Sequence, residues 1–170
     1  MDEHAPIPLD AETKVAERPA DHEAELRLWL RLLTCTTLIE GEVRRRLRDE
    51  FDVTLPRFDL MAQVDKAREP MTLGELSRRM MVSNGNVTGL VERLVAQGLL
   101  ERTPSPNDRR AQVIRLTDLG RAEFRAMAAE HEAWIADLFG ELTDRERNDL
   151  MRLLGRTKLS ARRAILGETR

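Results

Sequence analysis

Between Asp21 and about Glu50, apolar residues recur at three- and four-residue steps. Leu28, Leu32, Cys35, Ile39, Val43 and Leu47 form one stripe, the period of an amphipathic helix. Leu26, Trp29, Leu30, Leu33 and Leu38 add a second apolar face over its first half. A helix apolar on two sides needs two partners, here its own domain and, as an expectation, a second subunit. Ahead of it, residues 1–20 hold Pro6, Pro8 and Pro19, many charges and no hydrophobic period, and are expected to form a mobile tail.

Punctuation is clear in the middle of the chain. Thr54 with Pro56 opens a short helix to about Lys66, with Phe58, Leu60, Met61 and Val64 as its apolar positions, and Pro70 breaks it. Thr72-Leu73-Gly74-Glu75 is a capping box, in which hydroxyl and carboxylate each satisfy an N–H left over at a helix start. That helix ends near Met80. Ser83 caps the next, which runs to about Gln97 with Gly98 as its stop. The period then becomes alternating: Leu99-Leu100-Glu101-Arg102-Thr103 and Ala111-Gln112-Val113-Ile114-Arg115-Leu116 predict two short strands around a Pro-rich, charged tip. Thr117 caps a long helix with Phe124, Met127, His131, Ile135 and Leu138 on one face. Thr143-Asp144-Arg145-Glu146 is a second capping box, opening a last helix with Leu150, Leu153, Leu154, Ala161 and Ile165. The fold class predicted is mainly α with a small β-hairpin wing. A winged helix-turn-helix over residues 51–116 lies between dimerisation helices at 21–50 and 117–170.

Two helices, a tight turn and an immediate hairpin suit DNA. Within Ser83–Leu94, Val87, Leu90, Val91 and Leu94 would face the core, leaving Asn84, Gly85, Asn86, Thr88, Gly89 and Arg93 outside. Asparagine pairs bidentately with adenine, threonine offers a hydroxyl and a methyl, and glycine admits close approach. Gly85 and Gly89 each cost about 1 kcal/mol against alanine in a helix interior, so their place on one outward face points to contact there. At the hairpin tip, Asp108 can direct a neighbouring arginine through a charge-assisted pair, and Arg109 or Arg110 can enter a minor groove. Seen alone, such a tip is a solvated turn; directly after a helix-turn-helix it reads as a wing.

Composition narrows the alternatives. The 170-residue chain has 41% hydrophobic and 34% charged residues, as a soluble helical protein does, and no tyrosine. Its net charge of −2 is unevenly spread: residues 1–25 carry −6, residues 72–116 carry +3. The acidity thus lies in the tail and the positive excess in the segment with the motif. A single cysteine excludes an intramolecular disulfide, and His4, His22 and His131 match no metal-ligand spacing. No cofactor is expected. Residues 1–10 lack a basic stretch followed by an apolar run, and no apolar run would span a bilayer, so the expectation is a cytoplasmic protein without a membrane partner.

Leu73-Gly74-Glu75-Leu76, Val82-Ser83 through Val95, Gly98–Arg102, Pro106-Asn107-Asp108-Arg109-Arg110 and Arg115-Leu116-Thr117-Asp118-Leu119-Gly120 closely resemble the MarR family of bacterial regulators, over about residues 26–166. The resemblance implies a homodimer with intertwined first, fifth and sixth helices. It implies a double-stranded pseudo-palindromic operator as partner and a repressor released by a small organic effector. It puts Asn84, Asn86 and Thr88 at the base edges, with Ser83 also among the DNA-binding residues and Asp108 orienting Arg110, beside Arg109, at the minor groove. Many relatives carry a basic residue where this chain has Gly89, and Arg93 is expected to compensate. The Ser83–Gly89 stretch looks like the branch controlling hydroxycinnamate and related aromatic catabolism, which implies an aromatic acid or its coenzyme A thioester as effector.

Other readings stay open. Arg44, Arg45 and Arg46 read first as a solvated face and second as a holder for an anionic effector. Cys35 reads first as a small hydrophobe and second as a peroxide sensor, the latter without the tyrosines that such relatives use. Catalysis finds no nucleophile motif, Gly-rich phosphate loop or metal spacing around Glu130, His131 and Glu132. A winged helix serving protein contacts alone would need neither an arginine wing nor a glycine-opened polar face.

Overall fold

Pro56 at the start of one helix, threonine-glutamate boxes at two others and glycine after a fourth divide the chain into the elements that a computed structural model describes over residues 24–67, 69–80, 84–105 and 112–167. These are α1 (Ala24–Phe51), α2 (Leu55–Lys66), β1 (Met71–Thr72), α3 (Leu73–Met80), α4 (Asn84–Ala96), β2 (Leu100–Pro104), β3 (Gln112–Leu116), α5 (Asp118–Leu138) and α6 (Asp144–Leu166). The expected tail over residues 1–20 lies outside the described residues. Two compact units divide between His131 and Glu132, within the uninterrupted α5.

In the first unit, the strands form one antiparallel sheet in the order β1-β3-β2, with Leu100 opposite Leu116 and Arg102 opposite Ile114. β1 was not predicted: Met71 and Thr72 pair with Ile114 and Val113. Two residues are too few to show an alternating period, and Thr72 also carries the capping box of α3. Its N–H donates to Glu75 Oε2 at 2.8 Å, while the Glu75 N–H returns to Thr72 Oγ1 at 3.3 Å. By contrast, the Thr54 hydroxyl makes no capping bond, so α2 owes its start to Pro56, whose missing N–H costs nothing in a first turn.

The core of this unit joins α1 to α2, α2 to α3, α4 and β3, and α4 to α3 and β2. Leu47, Leu60, Met61, Leu76, Val87, Val91, Leu94, Leu100 and Ile114 are its fully buried large side chains. Removing each from water is worth about 1.5–3 kcal/mol. Leu90, expected to face the core, is only half-buried, because it stands at the edge of the Val87-Val91-Leu94 stripe.

Two apolar faces are left uncovered by the single chain. Of the α1 stripe, only Val43 and Leu47 are buried; Leu26, Leu28, Trp29, Leu33, Cys35 and Leu38 are exposed. Periodicity reports a face to be covered, and a single chain leaves this half uncovered. In the second unit, the Thr143 and Glu146 capping box opens α6 as expected. No residue of α6 is buried, although Leu150, Met151, Leu153, Leu154, Leu159, Ile165 and Leu166 lie along it. Along α5, Phe124, Met127 and Trp134 are buried, and Trp134 takes the place one turn beyond His131 where Ile135 was expected.

His131 stacks on Phe58 with ring centroids 4.9 Å apart, and Phe58 on Phe124 at 5.6 Å. Burial holds the imidazole below its ordinary value against the opposing pull of Asp59. The unfolded chain therefore takes up this proton first as the pH falls, so the folded state loses stability from about pH 6.5 downward. Melting at fixed protein concentration should drop between about pH 7.5 and about pH 5.5, and His131→Gln should flatten that slope. A parent slope that survives the substitution would show that the proton goes elsewhere.

Candidate nucleic-acid interface

At 100° per residue, burying Val87, Val91 and Leu94 determines which α4 residues look outward. Gly85, Gly89, Glu92 and Arg93 fall on the opposite side, with Asn86 and Thr88 on its two flanks. Asn86 and Arg93 are exposed and Thr88 half-exposed. The centre of this face is thus nearly free of side chain between two polar flanks. Neither glycine has a positive φ. A Cβ on Gly85 would meet nothing within 4 Å, and one on Gly89 only Arg93 Nη2, at 3.9 Å. Folding of the free chain requires neither glycine. The feature they create is an open strip on the outward face.

Arg93 bends back along this strip, its Nε donating to the Gly89 carbonyl at 3.0 Å. Its guanidinium therefore lies over Gly89. Glu92, the one acid of α4, stands 4.0 Å from Arg102 of β2, which offsets its charge on this face. Sequence reasoning missed Arg78 and Arg79, which are exposed at the end of α3, the first helix of the motif, and line one hollow with Glu75. Paired arginines in a last helical turn read first as partners of the helix dipole, and α3 packs beside α4. Arg115 on β3 is exposed as well. α4 begins at Asn84, but its side chain and the whole of Ser83 lie outside the described residues, as do Asp108, Arg109 and Arg110.

The α1 arginines meet carboxylates one turn away. Arg44 pairs with Glu40, Arg45 with Glu42 at 2.7 Å and Asp49 at 2.8 Å, and Arg46 with Glu42 at 2.6 Å. Hydrogen bonds from Arg45 and Arg46 pull the Glu42 carboxyl down to about 2. Three arginines against three carboxylates make a balanced ladder on the helix surface.

A MarR-family sequence profile matches residues 51–111, from the end of α1 to just before β3. A MarR family transcriptional regulator from Silicibacter pomeroyi, known as a crystal structure, is 31% identical with a TM-score of 0.67, over 81% of this chain and 94% of its own. The chain belongs to the MarR family. Its winged helix-turn-helix is therefore the DNA-binding fold of a MarR transcriptional regulator. A mutant MarR from E. coli, crystallised in complex with operator DNA, is 27% identical with a TM-score of 0.68, covering 78% of this chain and 95% of its own. The transcriptional activatory protein BadR of Rhodopseudomonas palustris is 29% identical over 139 residues, 78% of this chain and 79% of BadR.

The open strip of this MarR-family helix yields an unusual pair of signs. Gly89→Ala should raise the melting temperature of the free protein, since alanine is worth about 1 kcal/mol more than glycine in a helix. The same substitution should weaken binding to a DNA duplex selected by the parent. Tighter or unchanged binding would show that nothing approaches the strip.

Proposed function

We propose that the chain acts in the cytoplasm as a homodimeric, sequence-specific repressor, seated on a pseudo-palindromic operator by α4 and the wing. Residues 51–116 form the DNA-binding region, and 21–50 and 117–170 the dimerising helices. The observation that carries this reading is the outward face of α4: a glycine strip flanked by Asn86 and Thr88 and crossed by Arg93, with Arg78, Arg79 and Arg115 exposed on neighbouring elements. The operator complex of the E. coli relative supports the choice of DNA over a protein partner. Asn86, Thr88 and the amide end of α4, with Ser83 and Asn84, read base edges; Asp108 orients Arg110, beside Arg109, at the minor groove. No helix among the described residues is long and apolar enough to cross a membrane.

Dimerisation is supported by the apolar rows that α1 and α6 present to water, since patches of this extent mark interaction sites in soluble proteins. Repression is the sign that the family resemblance favours, and the name of BadR is the reason to measure transcription as well as binding. In mobility shifts on a parent-selected operator, Asn86→Ala should cost on the order of 1–3 kcal/mol and relax one base position. Arg110→Ala should weaken binding while leaving the central bases equally well discriminated, and Asp108→Ala should follow it in direction. Sedimentation of the same preparations should give a dimer. Parent-like binding by Arg110→Ala, or a folded monomer after deletion of residues 142–170, would contradict the assignment.

The effector we propose is a small organic anion, an aromatic acid or its coenzyme A thioester. Its site is not simply the α1 arginine run: an anion entering there must displace Glu40 or Glu42 from existing pairs. A second reading is a thiol switch at Cys35, which the single chain leaves exposed and which the proposed dimer would cover with the rest of the α1 row. Titration with p-coumaroyl-, feruloyl- and benzoyl-coenzyme A and the free acids should show tighter binding to free protein than to the operator complex. No binding by any of them, with operator release by peroxide that Cys35→Ser abolishes, would replace the organic anion with the thiol.

A further inference from the structure

The exit of α4 is tied to the entry of α5 through one residue, Thr117, by its hydroxyl and its backbone N–H. Gly98 is left-handed at φ 73°, and the N–H groups of Gly98 and Leu99 return to the Val95 and Leu94 carbonyls at 2.9 Å each. Thr117 closes on this turn from the far end of the hairpin. Its N–H donates to the Leu99 carbonyl at 3.1 Å, and its hydroxyl donates to the Gly98 carbonyl at 2.6 Å. The same oxygen accepts the Gly120 N–H at 2.9 Å, so it is at once the N-cap of α5 and a bond to the last turn of α4. Gly120 makes the approach possible. A Cβ there would lie 1.9 Å from the Leu99 carbonyl oxygen, a backbone atom with no room to give.

α2 holds the same turn from another side. Arg57 donates through Nη2 to Gln97 Oε1, while its Nε is buried without a hydrogen-bond partner.

We propose that this joint is a positioning element for DNA recognition, with Thr117 its positioning residue, setting the tilt of α4 against α5 and hence the half-site separation that a dimer accepts. The inference rests on the dimeric, operator-binding reading above. α4 is about 20 Å long, so a tilt of about 10° at its exit moves its DNA-facing end by about 3 Å. That is about the rise of one base pair. α5 runs unbroken from the joint to Leu138 within the dimerising segment, so a tilt fixed at Thr117 is carried into the separation of the two recognition helices.

The test uses the full chain and an operator selected in vitro by the parent, with its half-sites moved apart or together by one base pair. The parent should prefer one separation by about tenfold or more, a preference that itself checks the dimeric reading. Thr117→Val, which keeps the shape and removes the hydroxyl, should reduce that preference to about threefold or less, with unchanged affinity for non-specific duplex. Thr117→Ser should behave as the parent. Gln97→Ala, at an exposed position, frees the α2 contact without touching the core and should broaden the preference in the same sense. A parent-like preference in both Thr117→Val and Gln97→Ala, or an equal loss on every separation, overturns the proposal. A parent with no preference overturns the dimeric reading and leaves the joint nothing to set.

Discussion

Val87, Val91 and Leu94 are withdrawn completely from water, and nearly everything about the recognition face follows from their burial. They fix the rotation of α4 about its own axis, and with it the direction of Asn86, Thr88, Gly89 and Arg93. Slipping the helix by one residue would turn it by 100° and bring the glycines inward, losing several kcal/mol of burial at about 1.5–3 kcal/mol per side chain. The rest of the first unit supports this seat. Leu76 of α3, Leu60 of α2, Leu47 of α1 and Leu100 and Ile114 of the sheet are buried with it, and the glycine closure at Gly98 stops the helix where the strands begin. A rigid inner face is what lets the outer face be chosen for contact, including two glycines that weaken the helix.

Charge follows a different rule on each part of the molecule. On α1, arginines and carboxylates at three- and four-residue steps satisfy one another, and so contribute little field beyond the helix surface. On the helix-turn-helix, arginines at 78, 79 and 115 stand exposed, and the single acid of α4 has Arg102 beside it. The net charge of −2 therefore says little about which face would meet a polyanion. The local arrangement says more.

Much of this was readable from residues alone, because the signals were short-range. The Thr72-Glu75 and Thr143-Glu146 boxes, the stop at Gly98 and the alternation through Gln112–Leu116 each involve neighbours within a few positions. What escaped was of two kinds. β1 is too short to have a period, and Arg78 and Arg79, in the last turn of α3, read first as partners of the helix dipole. The bond from Thr117 to Gly98 joins residues 19 positions apart, and no pattern in either segment announces it. The α1 stripe is a different case. Leu28 and Cys35 obey the helical period and are still exposed, since periodicity identifies a face that will be covered without saying by which chain. The arginine ladder was present in the spacing of Glu40, Glu42 and Asp49 around residues 44–46, and weighing those acids would have shown the run to be compensated.

The central claim is that the face opposite Val87, Val91 and Leu94 is the surface that reads DNA. Amide hydrogen exchange of the full chain, with and without a selected operator duplex, tests it most directly. The account predicts that the duplex slows exchange over the first turns of α4, around Asn86 and Thr88, and at the end of α3 around Arg78 and Arg79, with little change along α6. Slowed exchange confined to α1 or α6, with α4 unaffected by saturating duplex, would contradict it.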